Sequence, residues 1–139
     1  MSHIAAATDS IGLIQLQKRT GTAGSLVVLE SLKDVPFDIR RVYYVYGTPP
    51  GASRGYHAHR ALRQFAVAVA GSVTMAMDDG HRRWHVPLDR PDRGAMIPPL
   101  IWHEMHDFSA DCVLLVLASA EYDEQDYIRD REEFERLTR

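Results

Sequence analysis

The sequence has one cysteine and lacks any apolar run long enough to cross a membrane. Cys112 lies within an apolar stretch, where a lone thiol behaves as a small buried hydrophobe. With no second cysteine there is no disulfide framework, which fits a reducing cytoplasm. No apolar run approaches the roughly 20 residues of a membrane helix, and the first residues lack the basic and apolar segments of a signal peptide. We therefore expect a cytoplasmic protein with no membrane partner.

An excess of positive charge is also missing. The 139 residues include 16 Lys and Arg against 19 Asp and Glu, for a formal net charge of −3. Binding to a nucleic-acid backbone generally needs a basic surface, so we do not expect a nucleic-acid partner. The length and the 45% hydrophobic fraction are those of one globular domain, expected to span residues 1–139.

Short β-prone segments separated by turn residues fill most of the chain. Because no helical segment interrupts them, the pattern predicts an all-β antiparallel barrel or jelly roll. Only the stretch from Asp126 to Leu137 has helical character. Tyr127, Phe134 and Leu137 would share one face of a short C-terminal helix packed on the outside of the barrel. The predicted strands are 11–17, 25–30, 39–46, 64–70, 72–77, 82–88 and 112–117, together with the histidine-containing segment described next.

The segment 51–59 carries two histidines one residue apart. If it is extended, His57 and His59 point to the same side, because strand side chains alternate between faces. Imidazole is both a common metal ligand and a proton carrier near neutral pH. The pair is therefore either half of a metal site or an acid/base pair.

The spacing around this pair resembles the two sequence motifs of the cupins. The first motif matches Gly51, His57, His59 and Gly71, with Gln64 where cupins carry glutamate. The second matches the region from Pro98 to Asp107, with His103 at its histidine. In cupins the equivalent histidines and glutamate bind a transition metal, but a neutral amide is a weaker ligand than a carboxylate. Three histidines could still hold zinc with an open position, or they could transfer protons at a carbonyl without a metal.

Further segments make the resemblance more specific. They are 54–59 (RGYHAH), 78–80 (DDG), 102–109 (WHEMHDFS), 116–119 (VLAS), 122–124 (YDE) and 126–129 (DYIR). Over roughly residues 24–134 the chain closely resembles the dTDP-4-keto-6-deoxyglucose 3,4-ketoisomerases, the FdtA/QdtA-type cupins of the WxcM-like group. The resemblance implies a metal-free enzyme without cofactor that moves the ketone of a dTDP-linked sugar from C4 to C3, for 3-amino-3,6-dideoxy sugar biosynthesis. It also implies a homodimer with exchanged N-terminal strands.

The resemblance also assigns roles to the three histidines. His59 would be the main base that carries the proton between C3 and C4, and His57 would handle the sugar oxygens. His103 occupies a position where the family has histidine or arginine, and histidine is typical of the branch with galacto-configured products. Ala23 departs from that branch, which has arginine there.

Other residues are predicted to contact the substrate. Alternation along 41–46 places Arg41 and Tyr43 on one face, so we expect Tyr43 to act in catalysis beside Arg41, which would lie near the diphosphate. Tyrosines also fill barrel interiors, and the sequence leaves open which face is the inner one. Arg54 could bind a phosphate through its planar guanidinium group. Gln64 is expected to face the histidines and to orient one of them.

Two other functions remain open. The first is a metal-dependent cupin dioxygenase that uses the three histidines as ligands, and the second is a sugar-binding cupin without activity. A sugar-nucleotide 3,5-epimerase is a related possibility within the same fold. We favour the ketoisomerase.

Overall fold

Twelve short strands and one short α-helix make up most of the regular structure of residues 12–139. The computed structural model describes residues 12–139, so Ile11, the first residue of the first predicted strand, lies outside the described residues. No helix among the described residues is long and apolar enough to span a membrane. The elements are β1 (Leu13–Gln15), β2 (Lys18–Gly21), β3 (Gly24–Val27), β4 (Arg41–Tyr46), β5 (Arg54–His59), β6 (Gln64–Ala70), β7 (Val73–Asp78), β8 (Arg83–Leu88), β9 (Arg93–Ile97), β10 (Trp102–His106), β11 (Val113–Ala118), β12 (Tyr127–Ile128) and helix α1 (Arg131–Leu137).

The strands are arranged in two five-stranded antiparallel sheets and one hairpin. The first sheet has the order β1-β9-β6-β11-β4, and the second has the order β12-β5-β10-β7-β8. The hairpin consists of β2 and β3, which pair with each other. Most neighbours in the sheets are distant in sequence, as expected for a jelly roll. The all-β prediction with a jelly-roll arrangement and a short C-terminal helix is confirmed.

The core lies between the inner faces of the two sheets. Along β8, for example, Trp84, Val86 and Leu88 are buried while the intervening residues are exposed. This alternation follows from the two-residue period of a strand with one face on the core. Met75 of β7 and Leu114 of β11 are fully buried in the same cluster. Each such side chain contributes roughly 1.5–3 kcal/mol through burial, so the two sheets are held together mainly by apolar packing.

The predicted start of the C-terminal helix was wrong. Helix α1 begins at Arg131, and the side chain of Asp130 caps it by accepting a hydrogen bond from the backbone N–H of Glu132 at 3.1 Å. Tyr127 lies instead in β12, which pairs with β5 at the edge of the second sheet. Phe134 is buried on the sheet, as predicted, whereas Leu137 is exposed. Pairing of β12 with the strand edge thus overrides the local helical pattern.

Candidate active site

Three imidazole rings meet on the inner face of the second sheet. His57 and His59 lie on β5 with their ring centroids 4.9 Å apart. His103 on β10 is the direct cross-strand partner of His57, and its ring centroid lies 4.6 Å from that of His57 and 6.1 Å from that of His59. His59 and His103 are almost completely buried. Antiparallel pairing therefore gathers residues that are more than 40 positions apart in sequence.

A β-bulge bends β5 just before the histidine pair. The register with β10 shifts between His103 and Glu104, opposite Gly55. Gly55 has φ +95° and Tyr56 has φ +64°, so both residues lie in the left-handed region. A Cβ atom on Gly55 would lie 2.7 Å from the carbonyl oxygen of His103. Only glycine fits at this position, and the bend sets the direction in which His57 leaves the strand.

Burial keeps the three imidazoles neutral at neutral pH. Desolvation lowers the pKa of His59 to about 4, with a further decrease from His57 and an opposing increase from Asp126. Desolvation, reinforced by the two neighbouring rings, lowers the pKa of His103 to about 3. The pKa of His57 is also lowered, again chiefly by burial. At pH 7 each ring therefore has a free nitrogen lone pair and can accept a proton.

Tyr43 and Gln64 form a hydrogen-bonded pair in the same region. The inner face of β4 carries Arg41 and Tyr43, and the Tyr43 hydroxyl donates to Gln64 Oε1 at 2.8 Å. The prediction that Gln64 orients a histidine was wrong, because its amide oxygen is taken by Tyr43 and its Nε2 has no partner among the described residues. Desolvation raises the pKa of Tyr43 to about 12, so the phenol stays protonated and can donate a hydrogen bond.

A cavity of about 350 Å³ opens above His57 and is rich in arginine. Its lining residues are Arg41, Tyr43, Val45, Arg54, Gly55, His57, Met105, Tyr127 and Arg129. A second cavity, of about 160 Å³, lies on the side of His59 and shares Arg41 and Tyr127 with the first. Arginine side chains bind phosphate oxygens through two parallel N–H donors. The larger cavity therefore combines proton acceptors with a binding surface for an anion.

Three buried polar atoms of the site have no hydrogen-bond partner among residues 12–139. They are Arg41 Nε, His57 Nδ1 and Gln64 Nε2. Buried polar groups are nearly always hydrogen-bonded in native proteins, because an unsatisfied one costs about 1–3 kcal/mol. Because the three atoms lie in one site, we expect a polar ligand bound there to supply the missing hydrogen bonds.

A comparison with family models decides the relationship. The model described as FdtA (WxcM-like, C-terminal) matches residues 9–139. The chain belongs to the FdtA family. Because the match covers nearly the whole sequence, the resemblance drawn from the sequence motifs is confirmed.

Individual relatives of this FdtA-family chain carry names that agree with one another. The chain is 46% identical over 124 residues to the TDP-4-oxo-6-deoxy-alpha-D-glucose-3,4-oxoisomerase of Aneurinibacillus thermoaerophilus, covering 89% of both chains. It is similar to a 3,4-ketoisomerase structure from Helicobacter canadensis, with 41% identity, TM-score 0.88 and coverage of 91% of this chain and 95% of that one. It is also similar to the structure of a mutant of the ketoisomerase QdtA from Thermoanaerobacterium thermosaccharolyticum in complex with TDP-4-keto-6-deoxyglucose. The two chains are 39% identical, with TM-score 0.89 and coverage of 91% of each chain.

Three residues of this FdtA-family site were not predicted as site residues. The Tyr127 ring centroid lies 4.4 Å from that of His59 and 5.0 Å from that of His57. Arg129 stacks on Tyr127 at 4.2 Å, and Asp126 contacts His59. All three belong to the 126–129 segment quoted above as part of the family resemblance. The helical interpretation of that segment hid their position beside the histidines.

The site provides only some of the ligands of a metal-binding cupin. One ligand atom from each of His57, His59 and His103 lies within 4.8 Å of the others, so three imidazoles could approach one cation. The position of the carboxylate ligand in metal-binding cupins is taken by Gln64, whose amide oxygen already accepts from Tyr43. We therefore derive no catalytic step through a metal.

The other histidines of residues 12–139 lie away from the cavity. His81 and His85 are exposed near the β7–β8 turn, and His106 Nε2 is 2.9 Å from Glu104 Oε1. Trp102 is buried against Phe134, with ring centroids 5.6 Å apart. None of these four residues lines the cavity above His57.

Proposed function

We propose that this protein is a sugar 3,4-ketoisomerase that converts dTDP-4-keto-6-deoxyglucose into its 3-keto isomer. The observation that carries the proposal is the pair of neutral imidazoles on β5, of which His57 lines the arginine-rich cavity and His59 lines the smaller cavity beside it. The relative from Aneurinibacillus thermoaerophilus is named for this reaction, and the QdtA complex contains this sugar nucleotide. The buried free thiol of Cys112 fits a cytoplasmic enzyme.

The proposed reaction needs only proton transfers. His59 takes the proton from C3, and the C3–H electron pair forms the C3=C4 double bond of an enediol while O4 gains a proton. O3 then loses its proton and becomes the ketone, and His59 returns a proton to C4. His57 moves the proton between the two oxygens, and Tyr43 turns its single O–H from Gln64 Oε1 to the substrate and donates a hydrogen bond to the developing oxyanion. The net change is an isomerisation, so no oxidant or reductant is consumed.

The cavity offers a binding surface for the diphosphate. Arg41 and Arg54 line it together with His57, the first of the two proton carriers. We propose that these two guanidinium groups hold the phosphates, which places the sugar over the histidines.

We further propose that the product has the galacto configuration. This finer assignment depends on His103, which lies under His57 and is fully buried. The configuration depends on which face of the enediol receives the proton at C4. His103 packs against His57 and therefore helps to shape the surface beneath the sugar. Histidine at this position is the feature that the sequence shares with the galacto-forming branch.

Incubation of the purified protein with dTDP-4-keto-6-deoxyglucose in D₂O, followed by proton NMR, tests the function. We expect a 3-keto product and loss of the C3 proton signal through exchange. In a parallel incubation in H₂O, where C4 of the product carries ¹H, a small H4–H5 coupling would support the galacto configuration, and a large one would contradict it. Binding without either exchange or product would identify a non-catalytic sugar-binding protein. Stoichiometric bound metal together with loss of activity on chelation would instead favour the metal-dependent alternative.

We also propose that the protein is a homodimer in which N-terminal strands are exchanged. Strand β4 is at the edge of its sheet, and its outer face exposes Val42, Tyr44 and Tyr46, the last by 71%. The β2–β3 hairpin pairs with neither large sheet among the described residues and exposes Leu26. An open strand edge and a contiguous apolar surface are typical of protein interfaces. Both features fit a partner subunit that covers β4 and receives the hairpin.

Changing the exposed surface of β4 is expected to weaken the dimer. The Tyr44→Glu/Tyr46→Glu variant should have about half the wild-type mass in size-exclusion chromatography with light scattering, because charges buried without partners are costly. Leu26→Glu tests the hairpin in the same way. Leu137→Glu is the control, since Leu137 is an exposed apolar residue on α1, and it should keep the wild-type mass. A monomeric wild-type protein at micromolar concentration would contradict the proposal.

A further inference from the structure

Gln64 lies behind the proposed oxyanion donor and lines neither of the two cavities described above. It is 1% exposed, and its amide oxygen accepts a hydrogen bond from the hydroxyl of Tyr43, which does line the larger cavity. We propose that Gln64 is a positioning residue whose amide group reverses when substrate binds, so that Nε2 donates to the oxygen of Tyr43 while Tyr43 donates to the sugar. The catalytic part of this inference depends on the proposed ketoisomerase function. The reversal itself does not require turnover.

The backbone of Gln64 is held in the interior of the first sheet. Gln64 begins β6, where it pairs with Ala118 of β11 on one side and with Ile97 of β9 on the other. Arg41 of β4 pairs with the same Ala118, so Arg41 and Gln64 project from the same side of the sheet, two strands apart. Because neighbouring strands fix the main chain, the freedom that remains is chiefly the terminal torsion of the side chain, which is broad and roughly two-fold. A half turn about it exchanges Oε1 and Nε2 and leaves the shape of the amide unchanged.

A count of hydrogen bonds shows why a bound sugar would favour this half turn. The Tyr43 hydroxyl has one proton, which it donates to Gln64 Oε1 at 2.8 Å, while Gln64 Nε2 has no partner among residues 12–139. When Tyr43 donates that proton to a sugar oxygen, Oε1 loses its donor as well. The reversed amide restores one hydrogen bond, because an Nε2–H then faces a lone pair of the phenol oxygen. The ligand therefore completes this buried nitrogen through Tyr43 rather than by direct contact.

The reversed amide also makes Tyr43 a stronger donor. Desolvation raises the pKa of Tyr43 to about 12, so the phenol carries its proton throughout the neutral range. A donor that hydrogen-bonds the phenol oxygen strengthens the O–H as a donor in turn, because linked hydrogen bonds polarise one another. The gain is largest when negative charge develops on the sugar oxygen in the transition state, so it should affect kcat rather than KM. This role of Gln64 is the same whichever imidazole takes the proton from carbon.

Gln64→Met is the central variant, because methionine keeps the length of the side chain and removes both ends of the amide. We expect kcat to fall about 3- to 10-fold with KM little changed, the loss expected for one neutral hydrogen bond that acts in the transition state. In the Tyr43→Phe background the same change should have no further effect, since Gln64 acts through the phenol oxygen. An equal loss in both backgrounds would indicate a packing role and overturn the inference. Gln17→Met is the matched control at an exposed position between β1 and β2, and it should behave like wild type.

Side-chain amide spectra of the wild-type protein test the reversal without turnover. Gln64→Met identifies the Gln64 signals in ¹H–¹⁵N correlation spectra by their loss. Saturation with dTDP-4-keto-6-deoxyglucose, verified by calorimetry, should move one Gln64 amide proton downfield as it begins to donate to the phenol oxygen. This shift should be absent in Tyr43→Phe.

Two outcomes of these spectra would overturn the inference whether or not the protein is active. They are unchanged Gln64 signals in the saturated wild-type protein and a shift of the same size in Tyr43→Phe. Absence of ketoisomerase activity together with the expected shift would instead contradict the proposed function and leave the reversal intact.

Discussion

Replacement of His59 by alanine is expected to lower kcat by about 10²- to 10⁴-fold, the usual contribution of a general base. In the proposed mechanism this side chain both removes the C3 proton and returns a proton to C4. Its neutral ring, with a pKa of about 4, is available as a base throughout the neutral range. The ring centroid of the neighbouring His57 lies 4.9 Å away, so this imidazole approaches the sugar from a different position.

The measurement is turnover of dTDP-4-keto-6-deoxyglucose followed by NMR, with circular dichroism to verify the fold. His59→Gln accompanies the alanine variant, because it fills more of the space that the imidazole leaves. His85→Ala is the control: His85 is an exposed histidine on β8 and should keep wild-type turnover. Near-normal turnover in a folded His59→Ala protein would remove the assigned base.

Replacement of Tyr43 by phenylalanine is expected to lower kcat by about 10²-fold, the typical loss on removal of one oxyanion donor. The phenol lines the larger cavity, and its pKa of about 12 keeps the proton on the oxygen at neutral pH. Its hydrogen bond to Gln64 Oε1, 2.8 Å long, holds the hydroxyl in place before substrate binds. The change removes a single oxygen atom, so the fold and the diphosphate contacts should be preserved.

The adjacent tyrosine supplies a matched control. Tyr44 lies on the opposite face of β4 from the cavity, and Tyr44→Phe keeps its ring on the surface proposed for the dimer, so this variant should turn over substrate at the wild-type rate. Binding of TDP to each variant, measured by calorimetry, separates catalysis from affinity. If Tyr43→Phe keeps wild-type kcat, the phenol is a packing residue and the oxyanion donor must be sought elsewhere.

Strand periodicity accounts for what the sequence predicted well. The two-residue alternation correctly placed Arg41 and Tyr43 on one face of β4, although it left open which face is the inner one, and it aligned the two histidines of β5. The regular spacing of turns indicated a jelly roll, and the order of the motifs indicated the family. These features are local, so they can be derived from neighbouring residues.

Long-range pairing explains what the sequence missed. Asp126 is 67 positions from His59, and the two meet because β12 pairs with the edge of β5. No local pattern encodes that contact, and the intrinsic helical character of the tail pointed away from it. The partner of Gln64 was missed for a similar reason, since β6 and β4 are brought together through β11, which lies between them.

The short strand β12 has a consequence for local stability. It has two residues, Tyr127 and Ile128, and it is joined to the second sheet through its pairing with β5 at the edge. Opening of this short edge strand would separate Asp126 from His59 without disturbing the strands that carry the three imidazoles. The contact can therefore be lost through local unfolding while both large sheets remain folded.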